Sequence, residues 1–217
     1  MQTSGLAEQL AASLNTTLSD HESVIWLVPG GSNIPISVEA SKLLDDSLTH
    51  KLIIMQTDER FVAPDSPDCN WHQLIQQGLK VGNATAYPIL STDGLDLAAT
   101  AAAYAETVRR EFARTDLIIG QFGFGADGHI AGIKPDSPAA TSTEPVAGYQ
   151  AEDFTRVTLT FETLRRVSRA EVFAYGADKR PVFDKLASPE LPPLTDFPVG
   201  ILREISDFTI YNDYIEA

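Results

Sequence analysis

The chain has 217 residues, 43% hydrophobic and 21% charged, with a formal net charge of −14 at pH 7. That length suits one substantial α/β domain over residues 1–217, with a well-buried core and no room for a comfortable second domain. The acidic balance argues against nucleic acid or an anionic membrane as a partner, because both require a basic surface, and apolar runs such as Val24–Val28 fall far short of the ~18 residues a spanning helix needs. One cysteine, Cys69, cannot close an internal disulfide or build a cysteine zinc site. With no basic stretch leading into an apolar segment near Met1, the expected location is the cytoplasm.

Leu6, Leu10, Leu14 and Leu18 recur every fourth position and predict an amphipathic helix. Ser23–Val28 reads as a buried strand that empties into Pro29-Gly30-Gly31-Ser32, and a helix is expected from about Pro35 to Leu44. Lys51–Gln56 is a second strand, ending in the charged run Asp58-Glu59-Arg60. After a Pro- and Asp-rich loop, a helix is expected from Asn70, with Asn70 itself as N-cap, to about Gly78. Gly94–Phe112 is alanine-rich and helical in character, and Leu117–Phe122 is a third strand. Lys134–Gly148 reads as loop, Arg156–Thr160 as strand and Phe161–Ser168 as helix. Glu171–Tyr175 is a further strand followed by a helix over Asp178–Ala187, the proline-rich Ser188–Pro198 is a connection, and Asp207–Tyr211 is the last strand.

This alternation predicts an α/β fold, a three-layer α/β/α sandwich with a mostly parallel central sheet. Ligands of such sheets bind beyond the carboxyl ends of the strands, which is where the polar clusters of this chain begin.

Gly30-Gly31-Ser32 can bring backbone N–H groups close to an anion, and the helix that follows adds its positive end. The loop matches neither G-x-x-x-x-G-K-[ST] nor G-x-G-x-x-G, so nucleotide binding by those devices is disfavoured. Gly123-x-Gly125-x-Asp127-Gly128-His129 places a carboxylate two residues from an imidazole at a strand end. An imidazole with an ordinary pKa near 6.5 exchanges protons at neutral pH, and a carboxylate partner fixes its tautomer. His21, His50 and His72 lack such a setting, and no H-E-x-x-H, second histidine or cysteine set suggests a metal, so no metal and no cofactor is expected. Lys179 follows a strand exit at Gly176, where an ammonium can reach an anion at the sheet edge.

Taken in order, these clusters resemble the 6-phosphogluconolactonase family, within the wider group that includes glucosamine-6-phosphate deaminase. The resemblance is carried by Val28-Pro29-Gly30-Gly31-Ser32, Thr57-Asp58-Glu59-Arg60-Phe61-Val62, Gly123–Ala131, Arg156-Val157-Thr158-Leu159-Thr160, Gly176-x-x-Lys179 and the closing Phe208–Asp213. It implies that Gly30, Gly31 and Ser32, with Arg156 and Lys179, hold a substrate phosphate, and that Asp58, Arg60, Asp127 and His129 line the reacting end. It also implies a small sugar-phosphate substrate, no cofactor, and a monomer or small homo-oligomer.

Arg60 after Asp58-Glu59 looks like the lactonase branch, and Lys134 stands where the deaminase branch has a glutamate. The expected reaction is hydrolysis of 6-phospho-D-glucono-1,5-lactone in the oxidative pentose phosphate pathway, with His129 as general base. The alternatives are a deaminase-like enzyme and a non-catalytic sugar-phosphate-binding protein. Two departures from the lactonase pattern stand out: the Gly-Gly-Ser-Asn-Ile-Pro loop is one residue longer, and Lys134 replaces a more common aromatic. Either Asp58 or Asp127 is placed to support His129.

Overall fold

Helix α1 (Thr3–Asp20) buries Leu6, Leu10, Leu14 and Leu18 along one stripe, as their spacing requires. In this computed structural model, which describes residues 3–90 and 94–213, there follow β1 (Val24–Val28), α2 (Ile34–Lys42), β2 (Leu52–Gln56), β3 (Asp58–Arg60), α3 (Asn70–Gln76), β4 (Thr85–Tyr87), α4 (Leu97–Arg114) and β5 (Leu117–Phe122). The second half contributes β6 (Val146–Gln150), β7 (Thr155–Leu159), α5 (Phe161–Leu164), β8 (Arg169–Phe173), α6 (Arg180–Leu186) and β9 (Phe208–Tyr211). Pro35 lies in the first turn of α2, where its missing N–H costs no helical bond.

Six strands form the central sheet in the order β4-β2-β1-β5-β8-β9, and every neighbouring pair is parallel. Both faces are covered, so β1 and β2 are buried at every position. The side chains alternate between two cores: Val24, Trp26 and Val28 pack with α1, α2 and Leu74 of α3, whereas Ile25 and Leu27 pack with Tyr104, Val108 and Phe112 of α4. The expected α/β sandwich is therefore present.

A second, antiparallel sheet in the order β3-β7-β6 lies on the α4 side. It changes two readings of the sequence. Asp58-Glu59-Arg60 is itself a short strand, not a charged tail on β2, and the segment expected to be loop through Gly148 already contains the start of β6. Gly148 packs against Leu97 of α4, where a Cβ would lie 3.0 Å from Leu97 Cδ1. The N-cap of α3 is Cys69, whose Sγ accepts from His72 N, and Asn70 is the first helical residue. The shift has a physical cause: the buried Glu59 carboxylate already accepts from the N–H groups of Asn70 at 2.7 Å and Trp71 at 2.8 Å, so an acid at the helix start does the capping.

Candidate active site

From β1 the chain builds outward through β2 to β4, then returns to place β5, β8 and β9 on the opposite side. The two directions diverge between β1 and β5, and a crevice at their carboxyl ends follows from that topology. A cavity of about 310 Å³ lies there. Gly30, Gly31 and Ser32 after β1 form one wall, and His129 on the loop after β5 forms another. Asp58 and Arg60 of β3, Arg156 of β7 and Lys179 complete it.

The histidine loop is folded tightly on itself. Phe124 and Ile130 bridge its two limbs, Gly125 N donates to His129 O at 3.1 Å, and Gly128 N donates to Gly125 O at 3.0 Å. The imidazole lies directly over Gly125: a Cβ there would be 2.2 Å from His129 Cε1. Asp127 Oδ1 sits 2.6 Å from His129 Nδ1 and also accepts from His129 N at 3.1 Å. This hydrogen bond holds the Asp127 carboxyl down at about 2, against a smaller upward push from burial. A charged carboxylate at Nδ1 favours the tautomer with the proton on that nitrogen, leaving Nε2 as the basic atom.

Of the two aspartates, Asp127 is thus the one bonded to the imidazole, from outside the cavity lining. Asp58 is engaged elsewhere: it accepts from Thr57 Oγ1 at 2.8 Å and lies 3.8 Å from Arg156 Nη1. Alternation along β3 explains why. Asp58 and Arg60 face the cavity, whereas Glu59 between them points into the protein and ties β3 to α3. Burial pushes the Glu59 carboxyl up, with hydrogen bonds from Gln56, Asn70, Trp71 and Arg60 acting the other way.

Three cations reach the cavity wall. Arg60 donates to Asp68 O at 2.8 Å and stacks over Phe154. Arg156 is 8% exposed and bonds Asp153 Oδ2 at 2.7 Å, while among the described residues no acidic group lies within ion-pair distance of Lys179. The cavity is therefore locally basic in a chain that is acidic overall. The nine residues expected at the site converge, eight on the cavity and Asp127 behind His129. No cluster of three or more His, Cys, Asp or Glu side chains suited to a metal is found among the described residues.

The sequence profile of the family described as Glucosamine-6-phosphate isomerases/6-phosphogluconolactonase matches residues 2–209. This chain belongs to that family. Among its relatives, a 6-phosphogluconolactonase of Synechocystis sp. is 28% identical over 153 residues, covering 66% of this chain and 63% of the relative. The chain thus spans just under two thirds of that protein's length. A 6-phosphogluconolactonase structure from Leishmania guyanensis superposes with a TM-score of 0.81 at 22% identity, over 98% of this chain and 93% of the other. A monomeric glucosamine-6-phosphate deaminase superposes almost as well, with a TM-score of 0.80 at 18% identity over 99% and 95% of the two chains. At such identities the likeness establishes the fold, and both branches of the family share it.

Several residues that brace the cavity carry no distinctive signal in the sequence. Asn33, in the lengthened glycine loop, is buried and donates to Phe173 O at 3.3 Å, while Gln121 Nε2 reaches Asn33 O at 3.4 Å and Ser37 Oγ donates to Gln121 Oε1 at 2.9 Å. The longer loop is thereby pinned to β5 and β8. Asn70 lies flat on Gly30, where a Cβ would be 2.2 Å from its Cγ, and donates to Asp58 O at 3.3 Å. An asparagine opening a helix signalled capping; only the cavity shows that it is also a wall of the site.

Proposed function

We propose that this chain hydrolyses 6-phospho-D-glucono-1,5-lactone to 6-phosphogluconate, a step of the oxidative pentose phosphate pathway. The observation that carries the reading is the Asp127–His129 pair opening onto a cavity with three cations. Gly30, Gly31 and Ser32 start a helical segment whose first N–H groups have no intrahelical partner. Together with Lys179 and Arg156 they hold the phosphate, which leaves the lactone carbonyl near His129.

In this mechanism Asp127 keeps the proton of His129 on Nδ1, and Nε2 takes a proton from water as its oxygen attacks C1. Negative charge then develops on the carbonyl oxygen, and Arg60 stabilises it. Collapse breaks the bond from C1 to the ring oxygen, which receives the proton from His129 Nε2, and the product is the open acid. General-base catalysis of roughly 10²–10⁴-fold and an oxyanion donor of roughly 10²–10³-fold suit an ester that already opens slowly in water. Lys134, at the position where the deaminase branch carries a glutamate, is ion-paired to Asp153 at 3.1 Å. A paired ammonium is no base for ring opening, which favours the lactonase branch.

The test is acid release in a pH-stat from freshly prepared lactone, corrected for spontaneous opening, alongside ammonia release from glucosamine 6-phosphate. Acid production well above background, reduced on the order of 10²-fold or more in kcat by His129→Asn, supports the proposal. Ammonia release would identify a deaminase, and calorimetric binding with neither product would identify a sensor.

A further inference from the structure

Arg156 stands between two carboxylates. Its Nη2 is 2.7 Å from Asp153 Oδ2 and its Nη1 is 3.8 Å from Asp58 Oδ2, while its Nε is buried and has no partner among the described residues. One cation flanked by two anions presents a net negative charge, a poor setting in which to receive a phosphate. Lys134 alters that sum. Its Nζ lies 3.1 Å from Asp153 Oδ2, the same oxygen that Arg156 binds, so the four groups Lys134, Asp153, Arg156 and Asp58 form an alternating, neutral chain that runs into the cavity. Burial alone would raise the Asp153 carboxyl; the bonds from Arg156 and Lys134 outweigh it and hold it well below the usual carboxylate range.

We propose that Lys134 is a positioning residue for the anionic end of the substrate: by neutralising Asp153 it leaves the positive charge of Arg156 to act on a phosphate in the cavity. The inference rests on the sugar-phosphate reading of the site and adds to it a residue outside the main cavity lining. It also gives a physical role to a position where this chain departs from the aromatic of the lactonase pattern. Lys134 is held where it acts by the turn after the histidine loop, through Ile133 N to Ile130 O at 3.0 Å and Ser137 N to Lys134 O at 3.1 Å.

The test is a double-mutant cycle on the full chain, with 6-phosphogluconate binding measured by calorimetry at low and moderate salt. Lys134→Met is expected to weaken binding about tenfold, more at low salt than at high, since the pair is partly exposed and screened. Asp153→Asn keeps an acceptor for Arg156 while removing the anion, and binds at least as tightly as the wild type. The double variant returns to within about twofold of the wild type, because the charge that Lys134 opposes is gone. A double variant as weak as Lys134→Met alone, or an unchanged Lys134→Met, overturns the inference while the wild-type binding still stands. If the wild type itself binds no 6-phosphogluconate, the sugar-phosphate reading fails and this inference with it.

Discussion

Arg60 and Arg156 stand directly opposite each other in the antiparallel ladder of β3 and β7, and both line the cavity. Like charges in that register oppose sheet pairing, a repulsion that Asp153 and Asp58 beside Arg156 offset only in part. Replacing Arg60 by Gln should therefore leave thermal stability unchanged or slightly raised while kcat for the lactone falls on the order of 10²-fold. Calorimetric melting and steady-state kinetics on one preparation check both halves, and a variant that loses stability and activity together would contradict the first.

The contact of the imidazole with Gly125 leads to a second expectation. A methyl group at position 125 would overlap the His129 ring and Asp127 Oδ1, the ends of two partly exposed side chains that can swing away together. Gly125→Ala should fold with a near-normal melting temperature but lose kcat by about 10²-fold, since a displacement of about 1 Å is enough to spoil an oriented proton transfer. Unaltered turnover would mean that the observed ring position is not the working one.

Asp127 carries a pH signature. Its folded pKa of about 2 lies below the ordinary aspartate value, so the pair with His129 contributes stability above about pH 4 and loses it as the pH falls toward the folded value. In urea titrations the gap between the wild type and Asp127→Asn should be widest near neutrality and close progressively as the pH drops through that window. The gap is small throughout, because both side chains are partly exposed. Turnover behaves differently: Asp127→Asn should lower kcat by on the order of 10²-fold even at neutral pH, where the tautomer is no longer fixed.

Gly30 and Asn70 form a coupled pair across the site. Gly30→Ala forces a methyl group into a buried amide that cannot retreat to solvent, and should cost about 1–3 kcal/mol of stability. Asn70→Ala removes the obstacle, so the double variant should be less destabilised than the sum of the two single changes. Denaturant midpoints of the four proteins provide the measurement; strict additivity would show that the overlap is relieved some other way.

The central sheet was readable because its strands are continuous apolar runs ended by glycine or charge, as in Leu117–Phe122 before Gly123. Its edge strand β4, three partly exposed residues, was not. Of the antiparallel sheet only β7 was readable: β3 is three charged residues whose strand character comes only from pairing with β7, and β6 contains Gly148 where α4 presses close. At the site, His129, Asp127 and the glycine loop announced themselves through residue type and spacing. The choice between Asp58 and Asp127 did not follow from sequence, since it depends on β3 turning Asp58 toward Arg156. Asn33, Gln121 and Asn70 are ordinary polar residues until the fold buries them.

The placement of the cavity between the sheets bears on how the protein reaches its working form. Asp58 meets Thr158 across the β3–β7 ladder, and β1 meets Leu117–Gly120 of β5, so the walls of the site are joined by contacts between segments far apart along the chain. No hairpin can nucleate the parallel sheet, and pairings of such long range are slow to form. Helical content can return early in refolding, but the cavity is complete only when both ladders have formed, so binding of 6-phosphogluconate should be recovered later than helical content.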